Sequence, residues 1–236
     1  MNKKCLIISA VILSFVMAIS CFSLTAKNDV SYASAISSSA AKIIIDAGHG
    51  GFDGGAVASD GTNEKDINLS IALSLGDMLS LCGYDVIYTR TSDTGTEDNS
   101  DVSISKRKVS DLNNRLKIME ENSDAVFVSI HLNKFTATTP SGAQVFYSSN
   151  NIKSRDLAVS VQNSIVSMLQ NDNKRVVKKS DSSTFLLKKA NIPAVIVECG
   201  FVSNAKELAL LKDDNYQKQM AFAVFYGINE FIINEV

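Results

Sequence analysis

Apolar and polar positions divide the chain into three stretches. Residues 1–27 open with Met1-Asn2-Lys3-Lys4 and then run apolar from Cys5 to Thr25, broken only by small hydroxyl residues, until Lys27 restores charge. Residues 28–41 (NDVSYASAISSSAA) are small and serine-rich, with no apolar period, which is the composition of a flexible linker. From Lys42 onward, β-branched runs alternate with segments of helical period. Lys42 to Asp46, Asp85 to Thr89, Ala125 to Ile130, Ala143 to Tyr147 and Ala194 to Val197 read as strands. Ile67, Ile71, Leu75 and Met78 share one helical face, Val109, Leu112, Leu116 and Met119 a second, and Leu157, Val161, Ile165 and Met168 a third. Each stripe reads as turned toward a core. Tyr216 to Ile233 is apolar almost all round and reads as a helix packed between other elements. Gln217, Lys218, Gln219, Asn229 and Glu230 leave its apolar stretch too short for a membrane span. The alternation predicts one α/β domain over residues 42–236, three layers deep, with a central mostly parallel or mixed β-sheet flanked by helices. No internal repeat is visible, and no room remains for a second domain.

The first stretch has the form of an export signal. About 20 apolar residues also suffice to cross a bilayer, so a cleaved signal peptide and a retained N-terminal anchor both fit. Ala33-Ser34-Ala35 offers an A-x-A cleavage site, and Ala18-Ile19-Ser20-Cys21 is close to a lipoprotein box without its usual leucine. Two of the four cysteines, Cys5 and Cys21, belong to this leader. Cys82 and Cys199 form no C-x-x-C and read as free buried thiols, with a disulfide as the alternative that export permits.

With 236 residues, 45% of them hydrophobic, the chain has enough apolar surface to fold without metal or disulfide staples. Its 23 basic against 25 acidic residues lack the basic excess of a general nucleic-acid binder. It holds only 2 histidines, so histidine chemistry has few places to sit.

Both histidines fall at the carboxyl ends of predicted strands, where open α/β sheets place their ligand crevice. His49 follows Ile43-Ile44-Ile45 inside Asp46-Ala47-Gly48-His49-Gly50-Gly51-Phe52-Asp53-Gly54-Gly55, whose glycines let the backbone turn tightly. Neither phosphate-loop glycine signature is present. His131 ends the buried run Val126-Phe127-Val128-Ser129-Ile130. Glu198 ends Ala194-Val195-Ile196-Val197, where an ionised carboxylate is costly unless paired or linked to a metal. Glu64 opens a predicted helix, and on its own is explained by the helix dipole. Catalytic zinc commonly takes two histidines and one glutamate and leaves a fourth position for water, and His49, Glu64 and His131 are the right ligand types. Spacing alone does not establish that site.

The blocks IIIDAGHGGFDGGAV, Asn63-Glu64-Lys65, Tyr88-Thr89-Arg90, FVSIHLN and PAVIVECGFVSN, in this order, resemble the zinc-dependent N-acetylmuramoyl-L-alanine amidases of bacterial cell walls, from about Ile43 to the C-terminus. The resemblance implies that one Zn²⁺ is held by His49, Glu64 and His131 and that Glu198 is the catalytic glutamate. It further implies hydrolysis of the amide bond between the lactyl group of N-acetylmuramic acid and L-alanine in peptidoglycan, by a protein exported to face the wall. One domain behind an apolar N-terminal segment, without wall-binding repeats, is most similar to the sporulation and germination subgroup acting on spore cortex. Ala47 departs from the family's usual proline, and Met119-Glu120 from an Ala-Asn pair common after the arginine matched by Arg115. No inserted segment resembles an autoinhibitory helix, which leaves an accessory regulatory protein as the expected means of control. No nucleic-acid partner is implied, and the membrane is met only through the N-terminal segment.

Asp53 and Asn133 are candidates for orienting the metal-bound histidines or contacting substrate. Lys174, Arg175, Lys178 and Lys179 read as a solvated loop or as contacts for stem-peptide carboxylates. Phe185-Leu186-Leu187 matches a strand of the family and reads as core. Two rival functions use the same residues: a non-catalytic peptidoglycan-binding protein or activator, and a zinc peptidase cutting within the stem peptide.

Overall fold

The computed structural model describes residues 40–181 and 184–235; the predicted leader and nearly all of the linker lie outside the described residues. In chain order the elements are β1 (Lys42–Ala47), α1 (Glu64–Leu81), β2 (Asp85–Tyr88), α2 (Ile104–Glu121), β3 (Val126–Asn133), β4 (Gln144–Tyr147), α3 (Lys153–Met168), β5 (Lys178–Lys179), α4 (Phe185–Lys189), β6 (Ala194–Phe201), α5 (Ala205–Leu211) and α6 (Asp214–Glu235). The six strands form one sheet in the order β2-β1-β3-β6-β4-β5. Pairing is parallel except where β4 runs antiparallel to β6. The sheet is therefore mixed and carries helices on both faces.

Side-chain alternation along the strands sorts the sheet into two unlike faces. Ile43, Ile45, Val128, Ile130, Val195 and Val197 point to one side. There Leu75 of α1, Leu157 and Val161 of α3 and Val224 of α6 complete a large, wholly apolar cluster. Ile44, Phe127, Ala194 and Ile196 point to the other side, against Met119 of α2 and Leu186 and Leu187 of α4. This second cluster is smaller, because farther along the same strands its rows turn polar. In register, Asp46 lies beside Ser129 and Ser129 beside Ile196. In the next row His131 lies beside Glu198 and Glu198 beside Gln144.

Some expectations are corrected. His131 and Glu198 sit inside β3 and β6 rather than at their ends, because Leu132-Asn133 and Cys199-Gly200-Phe201 continue the pairing. Val109 is 58% exposed. The first half of α2 instead holds the loop before it through polar side chains: Asp111 Oδ1 accepts from Thr96 N at 2.7 Å and Asn114 Nδ2 donates to Thr96 O at 2.6 Å. Met168, the last residue of α3, lines a surface cavity beside Phe222 and is 44% exposed. Phe185-Leu186-Leu187 is helical; Leu186 and Leu187 are core residues as expected, but a three-residue apolar run carries no period that separates helix from strand. Cys82 is exposed, just past the end of α1, while Cys199 is buried; both are free. Among the described residues no helix is long and apolar enough to cross a membrane.

Candidate active site

The loop between β1 and α1 is held from below by two arginines. Arg90 Nε donates to Ala47 O at 2.8 Å, and its Nη2 donates to Gly48 O at 3.1 Å and Lys65 O at 2.8 Å. Arg115, only 2% exposed, donates to Ala47 O at 3.0 Å and His49 O at 2.7 Å and forms an ion pair with the buried Asp46. Burial opposes the charge on Asp46, but Arg115 and hydrogen bonds from Ser129 and Thr89 outweigh it and hold the carboxyl at about 2. Charged pairs this deep are costly unless fully bonded, and this one anchors the backbone that presents His49.

That backbone is strained. His49 has φ 62°, a left-handed conformation rare for a residue with a side chain. Gly50 N and Asp53 O, and Asp53 N and Gly50 O, close a tight turn after it at 2.9 and 3.0 Å. The turn brings Asp53 Oδ2 to 3.0 Å from His49 Nδ1, while Lys108 Nζ pairs with Asp53 Oδ1 at 3.1 Å. His49 Nε2 then faces Glu64 Oε2 at 3.3 Å. Two glycines are sterically required here. A Cβ on Gly48 would stand 2.3 Å from His131 Nε2, and one on Gly55, at φ 69°, would stand 2.6 Å from the His49 ring and 2.7 Å from Glu64 Oε2.

Glu64 occupies the first turn of α1 and is 3% exposed. Backbone amides fix both oxygens: Leu132 N donates to Oε1 at 2.9 Å and Ala56 N to Oε2 at 2.7 Å. His131 Nδ1 stands 3.0 Å from Oε1. Burial raises the pKa of this carboxyl, but the two histidines lower it far more, so the net shift is strongly downward. Burial likewise opposes charge on His49, yet Asp53 and Glu64 raise its pKa to about 9. The pocket therefore favours positive charge where these groups meet.

His49, Glu64 and His131 each offer a nitrogen or oxygen within 4.8 Å of the others, the one such group found among the described residues. Beside them, Glu198 Oε2 is buried without a hydrogen-bond partner among the described residues. An orphaned carboxylate oxygen next to three converging donors fits a divalent cation, and two imidazoles with one carboxylate suit zinc. Burial first, then the nearby Glu64 charge, raise the Glu198 pKa, His131 and His49 oppose them, and the result is about 7.

The group opens into a cleft of about 430 Å³ lined by His49, Glu64, His131, Phe146, Lys178 and Glu198, among others. A larger cavity of about 650 Å³ lies elsewhere and holds none of these donors. The basic run is thus divided. Lys178 and Lys179 line the cleft, Lys174 lines the larger cavity, and Arg175 packs on Phe201 and donates to Ser141 O and Gln144 Oε1. Asn133 ends β3; its carbonyl accepts from Val202 N, and no hydrogen bond ties its side chain to the donor group among the described residues. Asp46, Arg90 and Arg115 support the site; in the sequence they stood out only as members of the matched blocks, with no role of their own.

Fold and site together give a three-layer α/β protein in which three candidate metal donors stand beside a buried carboxylate. The chain belongs to the N-acetylmuramoyl-L-alanine amidase family, whose sequence model matches residues 43–230, and it is an amidase acting on peptidoglycan. It is 34% identical over 186 residues to the germination-specific N-acetylmuramoyl-L-alanine amidase of Bacillus subtilis (strain 168), covering 79% of this chain and 77% of that protein. The CwlD amidase from Clostridioides difficile, solved in complex with the GerS lipoprotein, is 39% identical with a TM-score of 0.79 over 82% of this chain and 99% of that one. An N-acetylmuramoyl-L-alanine amidase from Clostridium difficile 630 is 30% identical with a TM-score of 0.72 over 84% and 100%.

Proposed function

We propose that this amidase holds one zinc ion through His49, Glu64 and His131 and uses Glu198 as general base and then general acid. The observation that carries the reading is the convergence of the three donors beside the orphaned Glu198 oxygen. Zinc, when bound, supplies a lowered pKa, about 7, for a water and a polarised scissile carbonyl. The remaining chemistry belongs to the chain. Asp53 fixes the His49 ring by accepting from Nδ1–H, leaving Nε2 as the donor to the metal. The amides of Ala56 and Leu132 fix the two Glu64 oxygens. Glu198 accepts the proton of the attacking water and delivers it to the departing nitrogen of L-alanine, a shuttle suited to a buried carboxyl whose pKa burial raises. The mixed sheet holds Glu198 rigidly, in register with His131 on β3.

Spore cortex is the proposed substrate, supported by the germination-specific relative. The apolar leader supports export, with the enzyme either secreted or anchored facing the wall. A lipoprotein complexed with a related amidase supports an accessory partner here as well. Family membership and an intact Glu198 disfavour the non-catalytic reading. Digestion of purified cortex peptidoglycan by the zinc-loaded chain is expected to release peptides with a new free L-alanine amino terminus. Cuts confined to bonds within the stem peptide would instead identify a peptidase.

A further inference from the structure

Resting on the amidase reading above, we propose that Lys178 binds a carboxylate of the stem peptide, two to three residues beyond the scissile amide, and so selects for it. The register places Lys178 at the sheet edge beside Phe146, which pairs with Ile196. In a parallel pair, residues in register project to the same face, and Ile196 shares its face with Glu198, two positions on. Lys178 therefore belongs to the face that carries the donor group, and it lines the same cleft. Its ammonium stands 5.8 Å above the Phe146 ring, and no carboxylate pairs with it among the described residues. Lys65, Lys108 and Lys212, by contrast, are each paired with an aspartate.

Distance and chemistry select the peptide side of the substrate. Two strand spacings of about 4.8 Å put the Lys178 backbone about 10 Å from β6, which is about three extended residues of a peptide at roughly 3.4 Å each. The N-acetylated glycan carries hydroxyls and amides, whereas the stem peptide carries carboxylates. The cleft carries Glu64 and Glu198 at the donor group and, toward the sheet edge, the Lys178 and Lys179 ammoniums with one aspartate, Asp181; the excess of ammoniums there fits a substrate that presents its carbonyl to the donor group and an anion to the edge.

The test uses the full, zinc-loaded chain and muramoyl-tripeptides whose carboxyl groups are free, or amidated at the second residue, the third, or both. The wild type is expected to cleave the free form with kcat/KM about fivefold above the amidated form at the recognised residue, mainly through KM. Lys178→Ala is expected to erase that preference, so that free and amidated forms are cleaved with equal kcat/KM. Lys178→Arg is expected to keep the preference, and Lys174→Ala, in the other cavity, to behave as wild type. Binding of the same fragments to Glu198→Gln reads the contrast without turnover. Equal cleavage of all forms by the wild type, or an equal loss for all forms in Lys178→Ala, would overturn the assignment of Lys178 alone. Cleavage of none of them by the wild type would remove the amidase reading and this proposal with it.

Discussion

The two faces of one sheet do different work. Toward α1, α3 and α6, the positions of the central strands β1, β3 and β6 are apolar, and the layer is packing without chemistry. Toward α2 and α4, the same strands carry Asp46 and Ser129, then His131 and Glu198, in successive rows. Neighbouring residues on one strand thus belong to different tasks: Ile130 is core and His131 faces the donor group. The difference teaches that stability and chemistry are separable here by parity along a strand. Polar rows are affordable on one face because the other buries a continuous apolar surface.

That separation is open to attack from both sides. Glu198→Gln keeps shape and removes the proposed proton shuttle, so kcat is expected to fall by about 10²- to 10⁴-fold, with the melting temperature unchanged; a shared loss of stability would erase the distinction. On the opposite face, Leu157→Ala opens a cavity at a fully buried site and is expected to cost about 2–5 kcal/mol of unfolding free energy. Denaturant titration measures that cost, and the activity per folded molecule should remain at the wild-type level. Asp53→Ala frees the His49 ring, and zinc affinity is expected to drop ten- to a hundredfold, read by competition with a chelator.

Acid should act on the site face. The Asp46 carboxyl falls from an ordinary 3.8 to about 2 in the fold, so its stabilisation is complete above about pH 4 and is lost as pH falls toward 2. The amount is about 2 kcal/mol. Chemical unfolding between pH 5 and pH 2 should show that loss in the wild type and a smaller one in Asp46→Asn, which starts from lower stability.

Much of this was legible in the sequence, for reasons specific to each element. Ile43-Ile44-Ile45 and Val126-Phe127-Val128 are continuous apolar runs because both faces of a central strand are covered, and Glu64 to Leu81 shows its helical period throughout. The candidate residues His49, His131 and Glu198 stood out because histidines are scarce and because a glutamate stood amid apolar neighbours, whereas Glu64 was picked out only by the family resemblance. The positive φ of His49 was not legible, since no residue type announces it. Nor was the arginine support of its loop: Arg115 bonds to residues 66 to 69 positions away, a partnership that only the folded chain creates. The two-residue strand β5 is too short to show a period, yet it places Lys178 in the cleft. Exposed Val109 and Met168 fit their stripes by spacing, but their helices turn other residues inward.

The central claim is that three side chains hold the metal and a fourth carries the proton. Zinc content of the purified full chain, measured by elemental analysis after equilibration with limiting zinc, tests it most directly. The account predicts one zinc per chain in the wild type and in Glu198→Gln, and loss of that zinc in His49→Ala and in His131→Ala. Full zinc occupancy in both histidine variants, or its loss in Glu198→Gln with the fold intact, would contradict it.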